Sequence, residues 1–270
     1  MRDWVRTAPW QRGIQRIEAF FSGEAYAPHR HDTYSIGYTI KGVQSFDYRG
    51  ARSDSTAGRV IVLHPDEIHN GEAGDEEGFH YRMLYIEPSM VREALGRPAT
   101  ALPFVKDAVL SDQRLFWAIQ AAFADIEETL EPVALDEITA LLADGLLAND
   151  PSADRSTRSL IDANATRLAR EFLDANLGRT VSSDELEALT GQDRYALARQ
   201  FRKAYGTSPY RYLTMRRLDQ VRAEIAIGSS LANAAIAAGF SDQPHMTRQF
   251  KANYGISPGR WQRLVRKTKA

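Results

Sequence analysis

A duplicated segment near the C-terminus constrains this chain more than any other feature of its sequence. Residues 199–211 (RQFRKAYGTSPYR) recur 49 residues later as residues 248–260 (RQFKANYGISPGR), with identity at 8 of 13 positions. One structural unit is therefore used twice. Because the unit is rich in Arg and small polar residues, it indicates a long, regularly spaced, negatively charged partner such as duplex DNA.

The two halves of the chain differ in charge. Its 270 residues carry a net charge of −1, yet residues 151–270 hold 20 Lys and Arg against 11 Asp and Glu, and residues 1–150 hold 14 against 24. This length suits two domains, of which only the basic one is expected to meet nucleic acid. The chain has no cysteine, no apolar signal segment and no apolar run of about 20 residues, so we expect a cytoplasmic protein without membrane contact.

Short apolar or alternating runs separated by Gly- and Asp-rich turns predict a β-barrel or sandwich over residues 14–87. The predicted strands are Ile14–Phe21, Tyr34–Ile40, Val43–Tyr48, Arg59–Leu63 and Phe79–Ile86. Apolar residues at three- and four-residue spacing then predict an antiparallel helix pair, 112–130 and 133–147, split at Pro132. Its apolar stripe either covers the barrel or forms a dimerisation surface.

The polar segment 151–157 is the predicted linker between a domain at 1–150 and a domain at 158–270. The second domain is predicted to be helical throughout, with glycines at the helix ends. Each copy of the repeat follows a short helix and a tight turn, and Asp193 or Asp242 stands where it caps the next helix. This is the pattern of two helix-turn-helix motifs, joined by a predicted helix over 209–227.

In such motifs the second helix enters the major groove of DNA. Most identical positions of the repeat, such as Phe201 and Phe250, are expected to maintain the fold, so the positions that differ are the better candidates for base reading. Arg and Gln are suited to guanine and adenine, and other basic side chains to phosphate. The predicted DNA-contacting residues are Arg194, Tyr195, Ala198, Arg199 and Arg202 on the first such helix, and Gln243, His245, Thr247, Arg248 and Lys251 on the second.

The doubled motif resembles that of the AraC/XylS family of bacterial transcription regulators over residues 158–266. The second copy carries the closer match, in the run AGFSDQ at 238–243 and in Tyr254-Gly255 and Ser257-Pro258. The resemblance implies an α+β two-domain protein: a cupin-like β-barrel with a helical hairpin, then an all-α domain with two helix-turn-helix motifs joined by a long helix. It further implies double-stranded DNA, a small polar effector, RNA polymerase and a second copy of the chain as partners.

Five of the six histidines fall in the first 80 residues, at positions that resemble the two motifs of cupin barrels. Three imidazoles, of His29, His31 and His69, match metal-binding cupins, but the glutamate expected after His31 is missing. The sequence therefore favours a barrel without metal or other cofactor, which binds its ligand by hydrogen bonds. The predicted ligand-binding residues are His29, His31, Tyr34, Tyr38, His69, His80 and Arg82.

These features predict a sequence-specific transcription regulator, not an enzyme, in which an effector in the barrel controls DNA binding. The resemblance favours an activator. Two alternatives fit the same residues: a metal-dependent cupin enzyme with a DNA-binding appendage, and a regulator that needs no effector and uses its barrel only to dimerise.

Overall fold

The computed structural model describes residues 2–96, 102–152 and 161–266. Its N-terminal part is an antiparallel β-barrel, as predicted, in which strands pair in the order β1-β2-β8-β4-β6-β9. Strands β5 and β7 also pair with β4, and β3 pairs with β7. The strands are β1 Trp4–Thr7, β2 Ile14–Phe21, β3 Glu24–His29, β4 Tyr34–Tyr48, β5 Ala51–Thr56, β6 Val60–Leu63, β7 His69–Ala73, β8 Phe79–Ile86 and β9 Val109–Leu110.

Strand β4 belongs to both sides of the barrel. Its first half pairs with β6 and β8, and its second half pairs with β5 and β7. The strand bends at Gly42, which has φ +76° and leaves no room for a Cβ atom against the carbonyl oxygen of Gly78. The two strands predicted at 34–40 and 43–48 are therefore one continuous strand.

Strands β2 and β8 have the predicted bounds and pair without interruption from Ile14–Ile86 to Phe21–Phe79. Alternation gives β8 two different faces. Tyr81 and Met83 pack inside the barrel, whereas Leu84 and Ile86 lie on its outer face.

A helical hairpin covers that outer face. Helices α1 Pro88–Ala94, α2 Gln113–Ala122 and α3 Pro132–Ala148 follow the barrel strands. The hairpin of α2 and α3 is antiparallel, since Leu115 meets Gly145, and its apolar stripe is buried against the barrel. Of the two roles predicted for the apolar stripe, covering the barrel or forming a dimerisation surface, the structure therefore shows the first. Helix α2 ends earlier than predicted because the buried Arg16 guanidinium donates hydrogen bonds to the backbone carbonyls of Ala122, Asp125 and Glu128.

The C-terminal part is helical throughout the described residues from Asp162 on. Its helices are α4 Ala163–Ala175, α5 Ser183–Thr190, α6 Arg194–Tyr205, α7 Pro209–Ala226, α8 Leu231–Ala237, α9 Gln243–Tyr254 and α10 Pro258–Arg266. Helices α5–α6 and α8–α9 form the two predicted helix-turn-helix motifs, and α7 is the long connecting helix. The Asp193 and Asp242 carboxylates accept backbone N–H bonds at the starts of α6 and α9, as predicted. From residue 153, the predicted linker lies outside the described residues.

The two parts share a continuous apolar core. It runs from Phe21 and Tyr81 in the barrel to Leu218 on α7, Phe250 on α9 and Trp261 on α10. The helical part therefore packs against the open end of the barrel. No helix among the described residues is long and apolar enough to cross a bilayer.

Candidate DNA-reading helices and sensor cavity

The predicted reading face of α6 is largely open to solvent. Tyr195 is 68% exposed, Arg199 is exposed and Ala198 is half-buried, while Leu197 and Phe201 fill the core on the opposite side. Arg194 differs from the prediction, because its guanidinium lies against Asp184 (2.6 Å) and Glu187 (2.9 Å) of α5. In this structure it ties the two helices of the motif together.

Arg202, also predicted to contact DNA, lies farther along α6. Its side chain is exposed, and its guanidinium lies 3.7 Å from the Asp66 carboxylate of the barrel. The Asp66 carboxylate lies closer to Arg211 (2.8 Å), and the long contact holds the exposed Arg202 side chain only weakly. Arg202 is therefore free to turn from Asp66 towards a phosphate.

Helix α9 presents a second face of different composition. Gln243, Arg248 and Lys251 are exposed, and Thr247 is half-buried beside them. The His245 ring is half-buried against Phe240, with Nδ1 3.2 Å from the Ser241 hydroxyl, so it also shapes the turn before the helix. The two helices thus display different side chains from the same kind of motif, as base reading requires.

Three of the predicted ligand-binding residues converge inside the barrel. The rings of His29, His31 and His69 are buried, with centroids 4.3 Å (29–69), 4.9 Å (31–69) and 6.0 Å (29–31) apart. Burial lowers the pKa of His69 to about 4 and, with the neighbouring imidazoles, holds the pKa values of His29 and His31 well below the ordinary range. All three rings are therefore neutral at pH 7.

The other four predicted ligand residues lie on the outer face of the barrel. The Glu18 carboxylate accepts hydrogen bonds from His80 (2.9 Å) and Arg82 (3.0 Å), and Arg82 also contacts the Tyr38 hydroxyl (3.3 Å). The Tyr34 hydroxyl donates to the Pro103 carbonyl. Strand alternation thus separates Tyr34, Tyr38, His80 and Arg82 from the histidine cluster, and the single pocket expected from the sequence is divided.

A cavity lies between the histidine cluster and the helical part. Barrel residues including Gln15, Tyr26, His29, His31 and Tyr85 form one side, and α7, α9 and α10 form the other with Met215, Arg216, Asp219, Arg222, Tyr254 and Trp261. Side chains fill most of it and leave a free volume of about 40 Å³. That is room for about three waters, and the cavity adjoins a wider groove that shares Trp10, Gln15 and Arg222 with it.

Two buried arginines of α7 cross this cavity, and the sequence analysis missed both. Arg216 pairs with Asp32 (3.1 Å) and Glu87 (2.5 Å) of the barrel part, and burial raises the Asp32 pKa to about 6. Arg222 donates to the Gln15 side chain (2.7 Å) and packs on the Trp261 ring. The available signal was the three-residue spacing of Arg216, Asp219 and Arg222 on a helix that otherwise buries apolar residues.

The repeat itself also contacts the barrel, through residues identical in its two copies. The Gly255 carbonyl accepts a hydrogen bond from the Ala27 N–H of β3 (3.0 Å). Arg260 donates to the carbonyls of Glu24 and Ala25, and Arg211, its equivalent, donates to the Arg30 carbonyl. Gly206 packs on Pro65 and Pro88. The C-terminal end of α9 is thus anchored on β3, and the end of α6 is anchored on Pro65 and Pro88.

Comparison with known proteins agrees with this architecture. Residues 13–148 match the family profile described as an AraC-like ligand binding domain, and residues 186–264 match a helix-turn-helix domain profile. Among curated relatives, the uncharacterized HTH-type transcriptional regulator YbfI of Bacillus subtilis is 26% identical (85% of this chain, 86% of YbfI). The HTH-type transcriptional activator RhaS of Yersinia pestis is also 26% identical (90% and 91%).

The fold is also found in a solved structure. ToxT of Vibrio cholerae superposes with a TM-score of 0.66 at 13% identity, covering 94% of this chain and 99% of ToxT. A second ToxT structure, described as bound to an unsaturated fatty acid, gives a TM-score of 0.64 at 13% identity, covering 98% of each chain. At this identity the likeness concerns the fold.

Proposed function

The chain belongs to the AraC family of transcription regulators, and we propose that it is an activator whose two helix-turn-helix motifs read one asymmetric DNA site. The observation that carries the proposal is the pair of capped helices, α6 and α9, with exposed and different reading faces. Helix α7 between them has 18 residues, or about 27 Å, close to the roughly 34 Å of one DNA turn. Successive major-groove segments on one side of the duplex are therefore within reach.

Among the predicted contacts, we assign base reading to Tyr195, Ala198 and Arg199 on α6 and to Gln243, His245, Thr247 and Arg248 on α9. Arg202 and Lys251 lie nearer the helix ends and suit phosphate contacts. We assign Arg194 to holding the first motif together, because two carboxylates already surround its guanidinium.

We further propose that a small polar effector binds in the cavity between the barrel and α7. Because only about 40 Å³ is free, a ligand larger than a few waters must displace side chains that join α7 to the barrel, such as Arg216 or Arg222. The effector would then bind more tightly to the arrangement in which the DNA-binding helices are displaced than to the packed one. Such a difference in affinity is what control of DNA binding requires. The fatty-acid complex of ToxT supports a ligand-binding role for this fold.

Activation implies RNA polymerase as a partner, and the relative RhaS is named an activator. A homodimer through the outer side of the hairpin is supported by Trp117 on α2 and Leu141 on α3, which are 62% and 41% exposed. As a regulator of transcription, the protein would act in the cytoplasm.

The DNA assignment is tested with sites selected from a random duplex library. Arg248→Ala and Gln243→Ala are expected to weaken binding about 10- to 100-fold and to relax base preference at separate positions. Arg12→Ala, an exposed arginine of the barrel part, removes the same charge as Arg248→Ala and should have no comparable effect. If both reading variants bind the selected site as tightly as wild type, the assignment of α9 is wrong.

The effector assignment is tested by thermal shift against a metabolite library, because a ligand of the folded state raises the melting temperature by mass action. Gln15→Leu removes a polar group from the cavity wall and should reduce the shift. Gln120→Leu makes the same change on the outer face, beside Tyr38, and should leave the shift intact. Equal loss in both variants would refute the cavity as the site.

A further inference from the structure

The histidine cluster has the dimensions of a metal site. One ring nitrogen from each of His29, His31 and His69 lies within 4.8 Å of the others, and all three side chains are buried. Imidazoles on one tetrahedral ion, with metal–nitrogen bonds of about 2.1 Å, place their ring centroids roughly 5 Å apart. The observed separations of 4.3, 4.9 and 6.0 Å bracket that value.

Backbone carbonyls fix the orientation of each ring. The Nδ1 atoms of His29, His31 and His69 lie 2.9, 3.1 and 3.0 Å from the carbonyl oxygens of Ala27, Thr33 and Glu67. A carbonyl only accepts hydrogen bonds, so each Nδ1 carries the hydrogen and each Nε2 keeps its lone pair. Metal-binding histidines are usually held in this manner by an acceptor on the other ring nitrogen.

We propose that His29, His31 and His69 bind one divalent transition-metal ion of the zinc, cobalt or nickel class through their Nε2 atoms. Nitrogens bound to one tetrahedral ion lie about 3.4 Å apart, so ring nitrogens within 4.8 Å of one another need to approach by at most about 1.4 Å. The Ser35 hydroxyl now lies 3.0 Å from the His31 Nε2 atom, and metal binding replaces that contact.

The ligand set leaves one coordination position open. No carboxylate belongs to the cluster in the part of the chain that the structure describes. Three neutral ligands leave the full charge of the ion uncompensated, so the fourth position suits water or an anionic donor. His29 and His31 also line the cavity between the barrel and α7, from which such a donor would come.

The site is in direct contact with the second DNA-reading motif. A Cβ atom at Gly255 would lie 2.7 Å from the His29 Nδ1 atom and 2.6 Å from the Ala27 carbonyl oxygen, which itself accepts from His29. An ion that fixes the His29 ring therefore also fixes the surface on which the end of α9 rests. This role goes beyond effector binding and needs no effector.

The test is titration of the full chain with Co²⁺, followed by its visible absorption, and with Zn²⁺ by calorimetry. Wild type is expected to bind one ion per chain with a dissociation constant below about 10 µM. His69→Ala should weaken binding at least about 100-fold, and His69→Gln provides a second variant if His69→Ala does not fold. His80→Ala removes an imidazole from the outer face, beside Glu18, and should bind like wild type.

Absence of binding tighter than about 10 µM to folded wild type would overturn the proposal. So would stoichiometric binding that keeps its affinity in the His69 variants. Either result leaves the DNA-binding assignment untouched, because the selected-site assay does not depend on metal.

Discussion

Adding one methyl group at Gly255 should loosen the contact between α9 and the barrel. Gly255 has φ +69°, and a Cβ atom there would lie 2.6 Å from the Ala27 carbonyl oxygen and 3.0 Å from the Tyr26 Cβ atom. Both neighbours are held in β3, so neither yields easily. The left-handed conformation alone costs an alanine about 1 kcal/mol.

Gly191 is the matched control because it ends α5 with φ +67° and has no atom within 4 Å of its would-be Cβ. Gly191→Ala should therefore lower the free energy of unfolding by about 1 kcal/mol and change nothing else. Gly255→Ala adds the steric conflict and loss of the Ala27–Gly255 hydrogen bond, worth about 1 kcal/mol more. We expect a total near 2 kcal/mol, concentrated at the interface.

Hydrogen exchange of a peptide covering residues 24–30 separates the two variants. A local loss of about 2 kcal/mol speeds exchange of the Ala27 amide roughly 30-fold. In Gly191→Ala the exchange of this peptide should match wild type. If the two variants exchange alike over residues 24–30, the turn at Gly255 does not anchor α9 to the barrel.

Four further outcomes follow from single side chains. Burial lowers the His64 pKa to about 3, so between pH 6.5 and 3 only the unfolded chain binds this proton, and the free energy of unfolding falls by about 1.4 kcal/mol per pH unit. In urea titrations at pH 7 and 5, His64→Gln should therefore lose less stability than wild type on acidification. An equal loss in the two proteins would contradict this. Arg194→Ala should lower the melting temperature but leave the base preference at the selected site unchanged. A changed preference would show that Arg194 contacts a base. Lys251→Ala should weaken binding to all sequences alike and reduce the salt dependence by about one counterion, whereas an unchanged slope would exclude a phosphate contact. Trp117→Glu should shift a dimer to monomer in sedimentation, and an unaltered mass would remove the hairpin as the interface.

The sequence was most predictive where one segment determines its own structure. Strands β2 and β8 have the expected bounds because their apolar residues pair with each other, and α6 and α9 begin after aspartates that cap them. Strands β5 (ARSDST) and β7 (HNGEA) carry no such pattern and owe their conformation to pairing with β4. Local sequence does not record such long-range pairing.

The candidate site was harder to predict because its faces are decided by distant elements. Period-two alternation places His80 and Arg82 together, but only the hairpin packed on β8 makes their side the outer one. Arg216 and Arg222 become cavity residues only because α7 lies over the barrel. The histidine cluster, in contrast, comes from motifs already visible in the sequence.

Because each DNA-reading helix is anchored at its C-terminal end, a small rotation there displaces its N-terminal end by a larger distance. Helix α9 has 12 residues, about 18 Å, between its N-terminal end, which packs on α8, and the Gly255 anchor. A pivot of about 10° at that anchor moves the tip by about 3 Å, which is close to the 3.4 Å rise of one base pair. A rotation of this size in the packing of α9 on β3 would therefore displace its DNA-facing end by about the spacing of one base pair.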